Sequence, residues 1–261
     1  MNERDLRGTF DRAASVYHSA RPDYPPELFD DLVEITGVRP PARLLEVGCG
    51  TGKATIPLAR AGFRITALEL GKALAAEARR NLAAFRDVEV VTTSFEDWQA
   101  DTRPELIYAA TSWHWVDPSV KYDRAADLLV PGGHLAVWSA GHAFPEGFDP
   151  FFAEIQRTYV AIGESRPGEW PPSRPDEQPG LEGEFEASGR FEAVGVRRYL
   201  WSHTYTAEQY IALLETFSGH IAMAPRKRER LYGEIRRLVA RRPHGTIERH
   251  WSVVMTVGRR R

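Results

Sequence analysis

The chain has 261 residues, with 34 basic and 36 acidic side chains and a formal net charge of −2. An apolar fraction of 43% and a charged fraction of 27% describe a folded chain with a full core, and they exclude a disordered segment or a strongly basic nucleic-acid binder. One cysteine rules out an intrachain disulfide and no apolar run has the length of a membrane span, so work in a reducing cytoplasm, away from membranes and nucleic acid, is expected.

Residues 1–26 are charged and lack an apolar run, so no signal peptide is expected. Within them Phe10, Ala13, Ala14 and Tyr17 recur at helical spacing, which predicts a helix over residues 9–19. Arg21-Pro22-Asp23-Tyr24-Pro25-Pro26 breaks it, and a second helix follows over residues 27–36, ended by Gly37. This arm either packs against the body or closes over a site with Tyr17, Arg21 and Tyr24. Strands are then expected at 43–47, 64–70, 88–92, 105–110 and 134–138, with helices at 54–61, 72–85 and 121–129 between them. Such alternation predicts an α/β fold, a doubly wound and mostly parallel sheet with helices on both faces. Beyond residue 140 the pattern loosens. A helix is read at 151–162, a loop at 166–183, strands at 191–202 and 247–257 (completing seven), and helices at 206–217 and 225–241. The final Arg259-Arg260-Arg261 reads as a solvated tail. Three stretches result: an arm (1–37), a core (38–140) and a cover that also completes the sheet (141–261), all in one globular unit.

The chemistry concentrates where the first strand ends, at Glu46-Val47-Gly48-Cys49-Gly50-Thr51-Gly52-Lys53. Glycine at alternate positions between a strand and a helix lets backbone approach a ligand closely. The dinucleotide fingerprint requires a third glycine where Lys53 stands, and the phosphate-binding P-loop requires Ser or Thr where Ala54 stands. Glu46 disfavours a pyrophosphate and favours a cationic ligand. Glu69 ends the second strand about 20 residues on, where an acid accepts both hydroxyls of a ribose. A ligand with a ribose and a cation but no phosphate fits S-adenosylmethionine.

The ordered set of motifs resembles the class I S-adenosylmethionine-dependent methyltransferases. Residues 44–52 match the first motif of that family, Glu69 its ribose-binding acid, Val91 to Trp98 its adenine-binding segment, and Leu129-Val130-Pro131-Gly132-Gly133 a late turn. The resemblance implies a Rossmann-like methyltransferase fold and donor contacts from Tyr17, Arg21, Glu46, Gly48, Cys49, Gly50, Gly52, Glu69, Leu70, Ser94, Phe95 and Thr111. Arg21 would pair with the methionine carboxylate, Tyr17 would line its pocket, and Ser94 with the Phe95 amide would face the adenine. The loop Thr111-Ser112-Trp113-His114-Trp115-Val116-Asp117 is similar to that of small-molecule enzymes of the trans-aconitate type, which methylate carboxylates. The expected function is therefore methyl transfer to a small-molecule carboxylate or hydroxyl oxygen, leaving S-adenosylhomocysteine. N- or S-methylation of a natural-product scaffold, or cofactor binding without turnover, are the alternatives. His114 is the candidate base or acceptor-orienting group, His142 a second candidate, and Trp113, Trp115 and Tyr210 candidate walls of the acceptor pocket. No spacing of Cys, His or acids suggests a metal.

Overall fold

The computed structural model describes residues 18–166, 170 and 174–261. Seven strands form one sheet: β1 (Arg43–Val47), β2 (Arg64–Glu69), β3 (Val88–Thr92), β4 (Leu106–Ala110), β5 (His134–Ala143), β6 (Phe191–Thr206) and β7 (Thr246–Arg260), in the order β3-β2-β1-β4-β5-β7-β6. β1 to β5 are mutually parallel, whereas β7 runs antiparallel between β5 and β6. The order reverses between β1 and β4, so the carboxyl ends of those strands open a crevice.

Helix α1 (Pro26–Thr36) begins on a proline already set for helical φ and ends at Gly37 in the left-handed region. Leu28, Phe29 and Leu32 of α1, Leu58 and Ala59 of α2 (Thr55–Arg60) and Ala78 of α3 (Lys72–Asn81) bury one face of the sheet against Leu44, Ile65, Tyr108 and Met255. The other face, carrying Leu45, Val47, Ile107 and Val137, packs on Ala125 and Ala126 of α4 (Lys121–Leu128) and on Phe185 of α6 (Glu182–Ala187). A second core lies beyond the carboxyl end of β5. There α5 (Phe151–Ala161), α7 (Ala207–Leu214), the short α8 (Ser218–Ala222) and α9 (Pro225–Val239) gather around Tyr205, Ile247 and Trp251. Thr206 caps α7 by accepting from the Gln209 amide, and the Gln209 side chain returns the bond to the Thr206 amide.

Most expected elements form, with shifted ends. β5 runs five residues past the expected strand because residues 139–143 pair with β7. α6 forms where no helix is expected, since one inward Phe185 on a short acidic segment gives no periodic signal. The three C-terminal arginines are not a loose tail. The Arg260 amide donates to the Gly133 carbonyl and the Arg261 amide to that of Arg190, which extends β7 to the end of the sheet. Of the first expected helix, residues 18–20 are helical, and its earlier part, Tyr17 included, lies outside the described residues. None of the described helices is long and apolar enough to cross a membrane.

Candidate active site

A cavity of about 370 Å³ opens at the carboxyl ends of β1, β2 and β4. Its floor is the turn after β1, where Gly48, Gly50 and Gly52 have φ of 69°, 58° and 89°. A β-carbon at Gly48 would meet Ser112 Cβ at 2.7 Å, so close strand–loop packing as well as backbone conformation demands glycine there. Ser112 holds the opposite wall by donating to the Val47 carbonyl.

Two carboxylates serve this turn differently. Glu69 lines the cavity, with Oε2 accepting from the Gly50 amide and Oε1 from the Gly71 amide, each at 2.8 Å. Two backbone donors thereby fix the carboxylate plane at the cavity. Glu46 is fully buried. Its Oε2 accepts from Thr55 Oγ1 at 2.5 Å and from Tyr108 Oη at 2.8 Å, while Oε1 has no partner among the described residues. Burial raises its pKa to about 7, against the opposing pull of the Thr55 and Tyr108 hydrogen bonds. An orphaned buried oxygen beside a cradle of left-handed glycines suits a ligand that brings a positive charge.

Arg21 reaches the cavity from the arm and is anchored across the molecule. Its Nε donates to Thr216 Oγ1 at 2.7 Å, and its guanidinium lies 3.9 Å from the Phe217 ring centre. Tyr24 Oη and Thr111 Oγ1 are 3.0 Å apart, and Thr111 also accepts from the Ala140 amide. Thr111 holds φ at 59°, a conformation that costs a β-branched residue about 1–3 kcal/mol. The strained residue sits at the cavity wall where β4 hands over to the 3₁₀ turn Trp113–Trp115. Exposed His114 and half-buried Trp115 line the cavity from that turn, with their rings 4.7 Å apart. No group of acids, cysteine and histidines among the described residues is placed to hold a metal.

This combination of glycine turn, held acid and strained loop coincides with the stretch whose family is identifiable. Residues 44–133 match the family model described as a methyltransferase domain. Residues 44–133 form a methyltransferase domain. An uncharacterized methyltransferase of Mycobacterium tuberculosis is 32% identical over 139 residues, covering 53% of this chain and 55% of its own length. Trans-aconitate 2-methyltransferase of the same species is 30% identical over 128 residues, covering 48% of this chain and 45% of its own. The chain thus spans about half the length of the curated relatives it matches. A solved structure of a candidate type II methyltransferase from Anaeromyxobacter dehalogenans superposes with a TM-score of 0.64 at 22% identity, over 92% of this chain and 97% of that one. The shared fold therefore extends well past the methyltransferase domain at either end.

Of the expected donor contacts, Arg21, Glu46, Gly48, Cys49, Gly50, Glu69, Leu70, Ser94, Phe95 and Thr111 line this cavity. Gly52 does not. Its place is structural, with a hypothetical β-carbon 3.1 Å from Leu82. Cys49 is buried and burial holds its thiol protonated. The Ser94 hydroxyl, expected at the adenine, donates instead to Asp97 Oδ2 at 2.6 Å and accepts from the Asp97 amide.

Three expected acceptor-side residues are misplaced. Trp113 turns away from the cavity and packs between Phe95 and Tyr122, 2% exposed. His142 belongs to the extended β5 and stacks on Phe144 and Phe152, where burial and nearby Arg249 keep it neutral. Tyr210 packs on Phe151 and Phe152 behind the wall. Trp201, Phe217, Ser218 and Trp251 line the cavity in their place. His18 was also missed. Its ring bonds Thr51 Oγ1 at 3.0 Å and lies 3.2 Å from Asn81 Nδ2, tying the arm to the glycine turn.

Proposed function

We propose that the chain transfers a methyl group from S-adenosylmethionine to an oxygen of a small-molecule acceptor, a carboxylate before a hydroxyl. The observation that carries this reading is Glu69, pinned by the Gly50 and Gly71 amides at the rim of the glycine cradle. When bound, S-adenosylmethionine supplies a methyl group already activated by a sulfonium. The residues present fit it. Glu69 would receive the ribose hydroxyls, Glu46 the ammonium end through its unpartnered oxygen, and Arg21 the carboxylate.

The protein's contribution is then placement. Holding two reactants in line contributes up to roughly 7–11 kcal/mol in ideal systems. A carboxylate acceptor arrives ionised, so His114 has no proton to remove and serves to orient it by hydrogen bonding. The trans-aconitate relatives methylate such an acceptor by name, which supports the choice of class. Calorimetry with S-adenosylhomocysteine should show binding, and incubation with S-adenosylmethionine and a panel of small carboxylates should yield methyl esters. Absence of donor binding overturns the reading. In the carboxylate case His114→Gln should raise KM more than it lowers kcat, and the pH–rate profile should show no essential base titrating near neutrality.

A further inference from the structure

The second core contains a positive charge that meets no acid among the described residues. Arg249 lies on the inward face of β7, 4% exposed, between Ile247 and Trp251. Its guanidinium carbon is 4.3 Å from the Trp251 ring centre, 5.5 Å from that of Phe217 and 5.9 Å from that of Tyr210. Among the described residues the ionisable groups that act most on it are Tyr210, Tyr205, Arg21 and Tyr159, with His142 and His220 also nearby and no carboxylate among them. Burial and the Arg21 charge both disfavour its charged form. Among the described residues, Arg249 Nε, the Tyr205 hydroxyl and the Trp251 indole nitrogen are buried without a hydrogen bond of full geometry, although the Trp251 indole faces the Tyr205 hydroxyl and the Tyr210 hydroxyl faces the Arg249 guanidinium. Tyr205 pairs with Ile247 across the ladder, which sets it diagonal to Arg249 on the same face.

Buried donors in native proteins are paired almost without exception, and a buried charge is paired or costly. Incompletely satisfied donors and a cation that meets no acid among the described residues, gathered in one cluster, mark a place for an acceptor of hydrogen bonds with negative charge. Two of the rings that cover Arg249, Phe217 and Trp251, line the same cavity as the glycine turn, and Arg249 and Tyr205 lie behind them. Phe217 also carries the Arg21 guanidinium, so two cations flank one ring. We propose that Arg249, the Tyr205 hydroxyl and the Trp251 indole N–H form a receptor for a carboxylate of the acceptor. One cation with two neutral donors matches the single charge and two oxygens of a carboxylate better than the double charge of a phosphate monoester. The inference deepens the methyl-transfer reading and rests on it.

The test uses the full chain saturated with S-adenosylhomocysteine and titrated in a calorimeter with trans-aconitate, an anionic probe, and with its trimethyl ester, a neutral counterpart. Wild type should bind the tricarboxylate and discriminate against the ester. Arg249→Met, which keeps the stem and removes the charge, should weaken trans-aconitate by at least roughly 30-fold. Arg249→Lys should recover part of the loss, and both variants should bind S-adenosylhomocysteine within about twofold of wild type. Because the charge is buried without an acid, Arg249→Met should also melt no lower than wild type, the opposite of what a structural arginine predicts. Undiminished trans-aconitate binding in Arg249→Met, or no preference of wild type for acid over ester, overturns the receptor. A parallel loss of S-adenosylhomocysteine affinity reassigns the anion to the donor's own carboxylate and overturns it as well. Failure of wild type to bind S-adenosylhomocysteine is a different result, which removes the methyl-transfer reading itself.

Discussion

Glu46 and Glu69 end neighbouring strands, yet their surroundings give them different work. Glu69 is held by two backbone amides at the cavity rim. Charge-assisted bonds of this kind are worth about 1.5–3 kcal/mol each, so Glu69→Ala should weaken S-adenosylhomocysteine binding by at least about tenfold in a calorimetric titration. Glu46 has the raised pKa, about 7 against an ordinary 4.5. The folded state therefore holds this proton more tightly than the unfolded chain. Its contribution to stability is full below pH about 4.5 and is lost as pH rises toward about 7. The shift caps that loss at about 3 kcal/mol. Gln at this position keeps an acceptor for Thr55 and Tyr108 but cannot ionise. Denaturant melts at pH 5 and pH 8 should thus show wild type losing more stability across the interval than Glu46→Gln, and equal slopes would contradict the buried-acid account. Arg249 was visible in the sequence as an arginine on the inward register of Ile247, Trp251 and Val253. An alternating strand marks such a residue as anomalous, but only the packing shows that no acid among the described residues faces it.

At the scale of elements, the glycine-turn half of the candidate site was legible because its chemistry is local. Three glycines, a strand before them and an acid one strand later fix the β1 turn from sequence spacing alone. The acceptor half was not, because it depends on side-chain direction and long-range pairing. In the 3₁₀ turn, Trp113 points into the core while His114 and Trp115 line the cavity, and three adjacent aromatic residues give no period to tell them apart. Ser139-Ala140-Gly141-His142 has no strand-like alternation, and it becomes strand only because β7 lies alongside. The glycine turn tolerates little. Gly48→Ala places a β-carbon against Ser112 in a left-handed residue, and the two effects together should cost about 1–3 kcal/mol. A lowered thermal midpoint with weakened S-adenosylhomocysteine binding is expected, whereas Gly141→Ala, where a β-carbon meets open space, should change neither appreciably.

Across the whole molecule, the core and cover contribute strands to one sheet and the described part of the arm packs on it, so we expect them to unfold together. α1 packs on β6 and β7 as well as on α2, and Tyr199 of β6 donates to Asp31 of α1 at 2.7 Å. Arg21 on the arm bonds Thr216 at the end of α7. Removing residues 254–261 would strip β7 from half its ladder with β5 and β6. The expected outcome is loss of the cooperative thermal transition for the whole chain, monitored by circular dichroism. A truncated chain that still melts sharply and binds S-adenosylhomocysteine would show that residues 38–140 stand alone.

The position of β7 also sets an order of events during synthesis. β1 to β5 leave the ribosome in sequence and each parallel neighbour is soon available, so the donor cradle can assemble early. β6 emerges next with sixteen residues of strand and nothing to pair with, since its only neighbour in the sheet is β7. Until the last segment arrives, the edge of β5 stands open and the cavity lacks Trp251. The nascent chain therefore passes through an interval with two unpaired strand edges, the condition in which chains adhere to one another or require a chaperone. Any acceptor receptor built on Arg249 comes into being only when the final strand slides between its two partners.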